Sequence, residues 1–244
     1  MGESMNRMPL AIDLFCGLGG WTEGLIAEGY DVIGFDIEKH DAKYPAQLVL
    51  QDVLTLHGSQ FKDADLIVAS PPCQAYSYRA MPWSRAKALP PPDNSLFEAC
   101  FRIQREACEA AGRHIPMIVE NVRGAQKWVG RSRWNYGSFH LWGDVPALMP
   151  MTKSGIKVAG LNWSNHGKPG YKAEAFNGTA EARLRKGDGG TWFGIEQGGD
   201  WLNASQPSIS RMSSSKSKAR KAASAQIAKI PLPLARYIAV VFKP

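Results

Sequence analysis

The sequence predicts an α/β domain with a mostly parallel sheet, because short apolar runs alternate with helix-compatible segments. The apolar runs lie at residues 10–15, 32–35, 48–50, 65–69 and 116–119. Two helical patterns, at residues 21–28 and 94–111, are followed directly by the helix-ending glycines Gly29 and Gly112. A chain of 244 residues suits one such domain with a small appended lobe.

We expect three parts along the chain. Residues 1–150 form the α/β domain, in which residues 134–142 alternate like a further strand. Residues 151–210 are rich in Gly, Asn and Trp without a clear period, and they predict a small irregular lobe. Residues 211–244 combine a basic segment with a C-terminal helix through Val241 that packs back on the first part.

The positive charge is concentrated near the C-terminus. From residue 204 onward the chain has eight basic residues and no acidic ones, whereas the rest has 21 Lys and Arg against 22 Asp and Glu. This excess indicates a polyanionic partner, because neutralised phosphates release their counterions. A solvated Ser/Lys loop is the alternative. The eight residues are Arg211, Lys216, Lys218, Arg220, Lys221, Lys229, Arg236 and Lys243.

Neither a membrane segment nor a metal site is predicted. The apolar run from Leu10 to Cys16 is too short to cross a bilayer, so we expect a soluble cytoplasmic protein. The four cysteines lack metal-ligand spacing. Cys100 and Cys108 fit a helix core, and only Cys73 lies in a turn that would expose its thiol.

Glycine and acidic residues follow the predicted strands, where open parallel sheets bind ligands. A turn with Gly17, Gly19 and Gly20 would let the backbone approach a ligand closely. Asp36 is placed for two ribose hydroxyls and Asp52 for an adenine amino group, with Val53 or Phe15 against the ring. This pattern fits several nucleotides, so a dinucleotide-binding enzyme stays open here, whereas a P-loop is excluded.

Later motifs make the prediction specific. The chain carries, in order, DLFCGLGG at residues 13–20, SPPCQAYS at 70–77 and ENV at 120–122, followed by SAQIA at 224–228. This series resembles the cytosine-5 DNA methyltransferase family, over roughly residues 10–125 and 222–241. The resemblance implies a Rossmann-like class I methyltransferase fold with S-adenosylmethionine as cofactor and double-stranded DNA as substrate. We expect a monomer without an obligate protein partner.

The resemblance also implies a mechanism. Carbon 5 of cytosine is a poor nucleophile, so a thiolate matched to Cys73 first adds to carbon 6. Pro72 shapes the turn that presents it, and protonated Glu120 assists by contacting ring nitrogen 3 and the exocyclic amine. Asn121 would hold the local backbone. The base must be flipped out of the duplex for this chemistry.

Further residues are assigned through the same resemblance. The cofactor contacts are Asp13, Phe15, Gly17, Gly19, Gly20, Asp36, Asp52, Val53, Pro72, Ser224 and Ala225. The DNA contacts are Gln74, Ser77, Arg79, Arg131, Arg211, Lys216, Lys218, Arg220 and Lys221. The Pro-rich segment 81–93, together with Arg79, Arg85 and Lys87, corresponds to the family's mobile loop that closes over DNA, and an ordinary surface loop is the alternative.

Two departures from the family pattern matter. The family usually carries a Gln-x-Arg-x-Arg motif about forty residues after Glu-Asn-Val, whereas here Arg131 and Arg133 follow after only about ten. Either Arg131 or Arg133 takes the role of contacting the target base, with Arg133 as the leading candidate, or the contact is lost or replaced. The recognition lobe is also short, which resembles phage or prophage enzymes more than large restriction-linked ones.

Four functions therefore stay open, led by an active DNA methyltransferase. A catalytically weak DNA-binding homologue is the second, favoured by the missing arginine motif. The same chemistry on RNA is the third, and transfer of a related one-carbon group is the fourth. The target sequence and any pairing with a restriction enzyme are not predicted.

Overall fold

A computed structural model describes residues 7–39, 44–76, 90–149 and 228–244. The chain divides into two compact units. The first contains Met1–Pro150 and Leu232–Pro244, and the second is Met151–Pro231, of which only residues 228–231 are described. The predicted boundary between a lobe at 151–210 and a basic segment from 211 therefore lies outside the described residues and stays a prediction.

The first unit is built on a seven-stranded sheet in the order β3-β2-β1-β4-β5-β7-β6. Its strands are β1 (Leu10–Leu14), β2 (Asp31–Asp36), β3 (Gln47–Leu50), β4 (Leu66–Ala69), β5 (Met117–Val122), β6 (Trp134–Tyr136) and β7 (Phe139–Gly143). Strands β1 to β5 pair in parallel, whereas β7 runs antiparallel to both β5 and β6. This is the Rossmann-like arrangement expected of a class I methyltransferase, and the predicted fold class is confirmed.

The central strands are apolar throughout, because helices cover both faces of a parallel sheet. All four residues of β4 and the first five of β5 are buried. The described helices are α1 (Gly20–Ala27), α2 (Ser95–Ala111), α3 (Gln126–Val129) and α4 (Leu232–Val241). Gly112 ends α2 in the left-handed conformation with φ 63°, as its position in the sequence predicts.

The C-terminal helix α4 lies directly against α1. A Cβ atom built on Gly24 would lie only 2.3 Å from Cβ of Ala235, so this contact needs glycine. Arg236 pairs with Glu28, and Tyr30 donates a hydrogen bond to the Ala239 carbonyl. The last helix is thereby held beside the first βα unit. None of the described helices is long and apolar enough to span a bilayer.

One local prediction needs correction, and the start of α2 departs from a standard cap. The segment 134–142 is a hairpin of β6 and β7 rather than one strand, because Gly137 turns the chain with φ 57°. Asn94 occupies the N-cap position of α2 but makes no capping bond with its side chain. Instead, Asp93 Oδ1 accepts from the Ser95 amide, and Asn94 Oδ1 accepts from the Tyr76 hydroxyl.

The strand order reverses between β1 and β4. From β1 the chain builds outward to β2 and β3, and from β4 it builds in the other direction to β5. Ligands of open α/β sheets bind beyond the carboxyl ends of the strands at such a reversal. The turn at residues 15–19 follows β1 and the turn at 70–73 follows β4, so both predicted motifs flank this point.

Candidate active site

The Gly-rich turn after β1 is held tightly in place. Phe15 takes φ 59°, the only positive value at a described residue other than glycine, and such backbone strain is common at ligand sites. The Cys16 amide donates to the Phe35 carbonyl, and Gly19 has φ 76° at the start of α1. A Cβ on Gly19 would also lie 3.0 Å from Cδ of Pro45. The turn therefore requires glycine at position 19.

Asp13 lies beneath this turn and is completely buried. Its Oδ2 accepts a hydrogen bond of 2.6 Å from the Thr22 hydroxyl, which also contacts the Tyr44 hydroxyl. Burial, with a smaller contribution from nearby Asp36, raises the pKa of Asp13 from 3.8 to about 7, against the lowering effect of Thr22. Since protein atoms cover the whole side chain, Asp13 can support the turn but offers no surface to a ligand.

Asp36 ends β2 beside the Gly-rich turn. Its Oδ2 accepts from the Gly17 amide at 2.8 Å, and its Oδ1 accepts from the Glu38 amide at 3.0 Å. These bonds orient the carboxylate at the edge of the crevice, a name we use for the space beyond the carboxyl ends of β1, β2 and β4. A carboxylate accepts hydrogen bonds from several donors, which is the chemistry that ribose hydroxyls require.

Exposed apolar side chains surround the two acidic strand ends. Ile37 is 71% exposed next to Asp36, and Leu50, the register partner of Asp36, is 55% exposed. Leu54 is 45% exposed, and its amide donates to Asp52 Oδ1. Large apolar side chains in contact with water here are suited to cover a flat ring. Ile37 was missed in the sequence, although its position directly after a strand-end acid is a usable signal.

Val53 does not contribute to that exposed surface. It is 2% exposed and packs in the hydrophobic core, so its side chain can only support the crevice from beneath. Asp52 is half-buried and caps the short 3-10 helix Val53–Thr55. Of the two predicted ring contacts, Phe15 is the one that keeps part of its side chain accessible.

The turn after β4 presents Cys73 at the reversal point. Cys73 is half-buried, and its carbonyl accepts from the Tyr76 amide to start the 3-10 helix Gln74–Tyr76. Pro72 and Gln74 are exposed on either side of it. Asn121 Nδ2 donates a bond of 2.9 Å to the Pro71 carbonyl, which anchors the turn on β5. This is the backbone-holding contact expected of Asn121.

Glu120 lies on β5, the neighbour of β4. The residue is 8% exposed, and burial raises the pKa of its carboxyl group from 4.5 to about 8. A hydrogen bond with the Ser70 side chain acts in the opposite direction. With its pKa at about 8, Glu120 is mostly protonated at neutral pH.

Ser70 links the three parts of the site. Its amide donates to the Leu14 carbonyl at the end of β1, and its hydroxyl accepts from Trp21 Nε1 at 3.0 Å. The same hydroxyl contacts Glu120. Sequence reasoning missed Ser70 and Trp21, because the contact between residues 49 positions apart exists only in the folded sheet.

Arg131 and Arg133, the two arginines considered in place of the family's Gln-x-Arg-x-Arg motif, lie at exposed positions before β6. Arg131 and Arg133 line a cavity with Arg123 and Lys127, and the Arg133 amide donates to the Leu141 carbonyl. Sequence reasoning also missed Arg123 and Lys127. A usable signal existed, since residues 121–143 contain four basic residues and no acidic one.

Several predicted contacts lie outside the described residues. They are Ser77 and Arg79, which follow Cys73 in the sequence, Arg85 and Lys87 of the Pro-rich segment, Arg211, Lys216, Lys218, Arg220 and Lys221 of the basic segment, and Ser224 and Ala225 of the last motif. Their roles stay predictions.

Comparison with known proteins agrees with the motif order. Residues 10–128 match the family of C-5 cytosine-specific DNA methylases. A solved protein described as a DNA modification methyltransferase encoded within a prophage (E. coli) is 27% identical, with TM-score 0.37, over 50% of this chain and 34% of that one. Curated proteins give no match.

Two other solved structures are similar over half of the chain. Methyltransferase EhMeth of Entamoeba histolytica is 16% identical, with TM-score 0.37, over 50% of this chain and 40% of that one. The Dnmt2 methyltransferase of S. pombe is 18% identical, with TM-score 0.36, over 50% and 36%. The chain thus spans 34% to 40% of the length of these proteins. Residues 10–128, which hold the Gly-rich turn, Cys73 and Glu120, are therefore the part of this chain that is similar to the C-5 cytosine-specific DNA methylase family.

Proposed function

We propose that this chain transfers a methyl group from S-adenosylmethionine to carbon 5 of cytosine in DNA, through a covalent adduct of Cys73 with a flipped-out base. One observation carries the proposal: Glu120, with its pKa raised to about 8, lies on the strand next to the Cys73 turn. A nucleophile and a protonated acid are the two groups that attack on carbon 6 requires.

The crevice beside β1 and β2 suits the cofactor chemically. The backbone at Gly17 and Gly19 permits close approach, and Asp36 supplies acceptors for the ribose. The exposed side chains of Ile37 and Leu50 provide apolar surface for the adenine ring. When bound there, S-adenosylmethionine supplies an electrophilic methyl group on a sulfonium.

The residues of the chain perform the remaining steps. The Cys73 thiolate adds to carbon 6 while Glu120 donates a hydrogen bond to ring nitrogen 3, so that electron density moves to carbon 5. After carbon 5 has taken the methyl group, its proton leaves to water. The carbon–sulfur bond then breaks, and Cys73 departs as thiolate. Asn121 keeps the Cys73 turn in place through its bond to Pro71.

Transfer of radiolabelled methyl groups to unmodified duplex DNA tests this proposal. We expect transfer with the wild-type protein, loss of it with Cys73→Ala, and a trapped complex on DNA containing 5-fluorocytosine. Cys108→Ser is the matched control, since Cys108 is also half-buried but packs near Ile115, away from this edge.

Two results would contradict the proposal: no transfer to DNA by the wild type, or transfer that survives Cys73→Ala. A parallel reaction with tRNA as acceptor separates DNA from RNA as substrate, and mass spectrometry of the product identifies the transferred group.

A further inference from the structure

The hairpin β6–β7 and the segment after β5 line an open cavity with a strongly basic lining. Its volume is about 710 Å³, within the range of small-ligand pockets. Arg123, Lys127, Arg131 and Arg133 contribute to the wall, and among the described residues no acidic one does. We call this cavity the basic pocket. Four cations around one concave space favour an anionic occupant.

The charges of the basic pocket have no carboxylate partner among the residues that the structure describes. Within the described part of the chain, none of its four cations lies within 4 Å of a carboxylate, whereas Arg7, Arg102, Arg113 and Arg236 all do. All four pocket cations are exposed. Their mutual repulsion raises the free energy of the folded protein, and a bound anion would offset this cost.

Hydrogen bonds between uncharged side chains connect the walls of the basic pocket. Gln126 Oε1 accepts from both the amide and the hydroxyl of Ser132, each at 3.2 Å. The Ser132 hydroxyl also contacts Nδ1 of His140 at 2.9 Å. Burial and the nearby Arg123 lower the pKa of His140, which keeps this link uncharged. The pocket is therefore held in shape by hydrogen bonds within the protein.

The basic pocket lies directly beside the segment that presents Cys73. Arg123 comes three residues after Glu120. Gly124 approaches the chain after Cys73 so closely that a Cβ there would lie 2.1 Å from the Tyr76 carbonyl oxygen. A strand with one base at Cys73 would consequently pass its neighbouring backbone close to these cations.

We propose that the basic pocket binds the phosphodiester backbone of the nucleic-acid strand next to the target base, with Arg123 and Lys127 as contacts in addition to Arg131 and Arg133. This inference rests on the proposed function for the position of the target base. Trp134 on the pocket wall offers a flat apolar face of the kind that stacks on nucleotides, which favours a polynucleotide over a simple inorganic anion.

Salt-dependent DNA binding in a Cys73→Ala background tests the basic pocket without requiring catalysis. The variant is Arg123→Gln with Arg131→Gln, and the matched control is Lys62→Gln with Arg105→Gln, which removes two exposed charges elsewhere. The slope of log K against log salt is negative, and each lost phosphate contact makes it less steep by about 0.9 for duplex DNA. For the pocket variant we expect a slope that is less steep by about 2 and DNA binding that is at least about tenfold weaker in low salt. The control should keep both values.

A second double variant, Arg123→Lys with Arg131→Lys, keeps the charge and should restore the slope, which separates charge loss from misfolding. Equal slopes for the pocket and control variants would overturn the inference. So would displacement of duplex DNA by deoxycytidine monophosphate at a similar concentration, since that identifies a mononucleotide pocket. If the slope depends on the pocket residues but the wild type transfers no methyl group, the inference about the basic pocket stands and the proposed function is rejected.

Discussion

Two regions at the carboxyl edge of the sheet each bury a carboxyl group, and they differ in what the group can reach. Asp13 lies below the Gly-rich turn, is completely covered and binds Thr22. Glu120 lies beside the Cys73 turn, keeps 8% of its surface exposed and binds Ser70. Burial raises both pKa values, to about 7 and about 8. A raised pKa alone therefore does not distinguish the two groups, whereas the exposed fraction of the side chain does.

Replacing each buried acid by its isosteric amide should give the largest difference between these two regions, measured as kcat. Glu120→Gln removes the acidic proton at the site of attack, so kcat for methyl transfer should fall by about 10²- to 10⁴-fold. Asp13→Asn keeps an acceptor for Thr22 and touches no substrate, so kcat should stay within about tenfold of wild type. Steady-state kinetics at saturating DNA measure both values. Equal losses in the two variants would show that Asp13 takes part in the chemistry.

The stability of the protein should depend on pH through the same two groups. The unfolded chain loses these protons near pH 4, whereas the folded protein keeps them to about pH 7 for Asp13 and about pH 8 for Glu120. The folded state thus binds more protons between these limits, and the free energy of unfolding falls as pH rises through the window. The loss is on the order of a few kcal/mol per group.

Denaturant unfolding at pH 5 and pH 8 checks this prediction. Glu120→Gln and Asp13→Asn should each flatten the decrease, because an amide does not titrate. Glu109→Gln, an exposed change of the same kind on α2, should leave the decrease unaltered. A wild-type protein that is more stable at pH 8 than at pH 5 would contradict the buried, protonated state of both groups.

The smallest expected effect concerns Ser70. Its hydroxyl lowers the pKa of Glu120, so Ser70→Ala should raise that pKa by up to about one unit. If protonated Glu120 is the active form, the loss of kcat at high pH should move to higher pH. Trp21→Phe removes the donor to Ser70 but keeps the contact between Ser70 and Glu120, and it should leave the profile in place. An unmoved profile in Ser70→Ala would assign Ser70 a structural role alone.

The sequence by itself determined the fold class, the family and the order of the main elements. Strand periodicity, the glycines at turns and three short motifs are local patterns, and local patterns can be recognised without knowing what packs against them. The position of Cys73 after β4 and that of Glu120 on the neighbouring strand followed from the same reasoning, but the predicted end of that strand at residue 119 was wrong, since β5 continues through Glu120 to Val122. The hairpin at β6 and β7 did not follow from it, because two short strands around Gly137 have nearly the same alternation as one.

Only the tertiary structure decided which predicted residues face the crevice and which support it. Asp13 and Val53 occupy motif positions like their neighbours, yet both are covered by protein. The bond from Ser70 to Trp21 and the basic pocket around Arg123 and Arg131 likewise depend on side chains brought together from separate elements. Burial and charge density are properties of three-dimensional packing, which is why the pKa of Glu120 could be anticipated from a resemblance but explained only by the folded sheet.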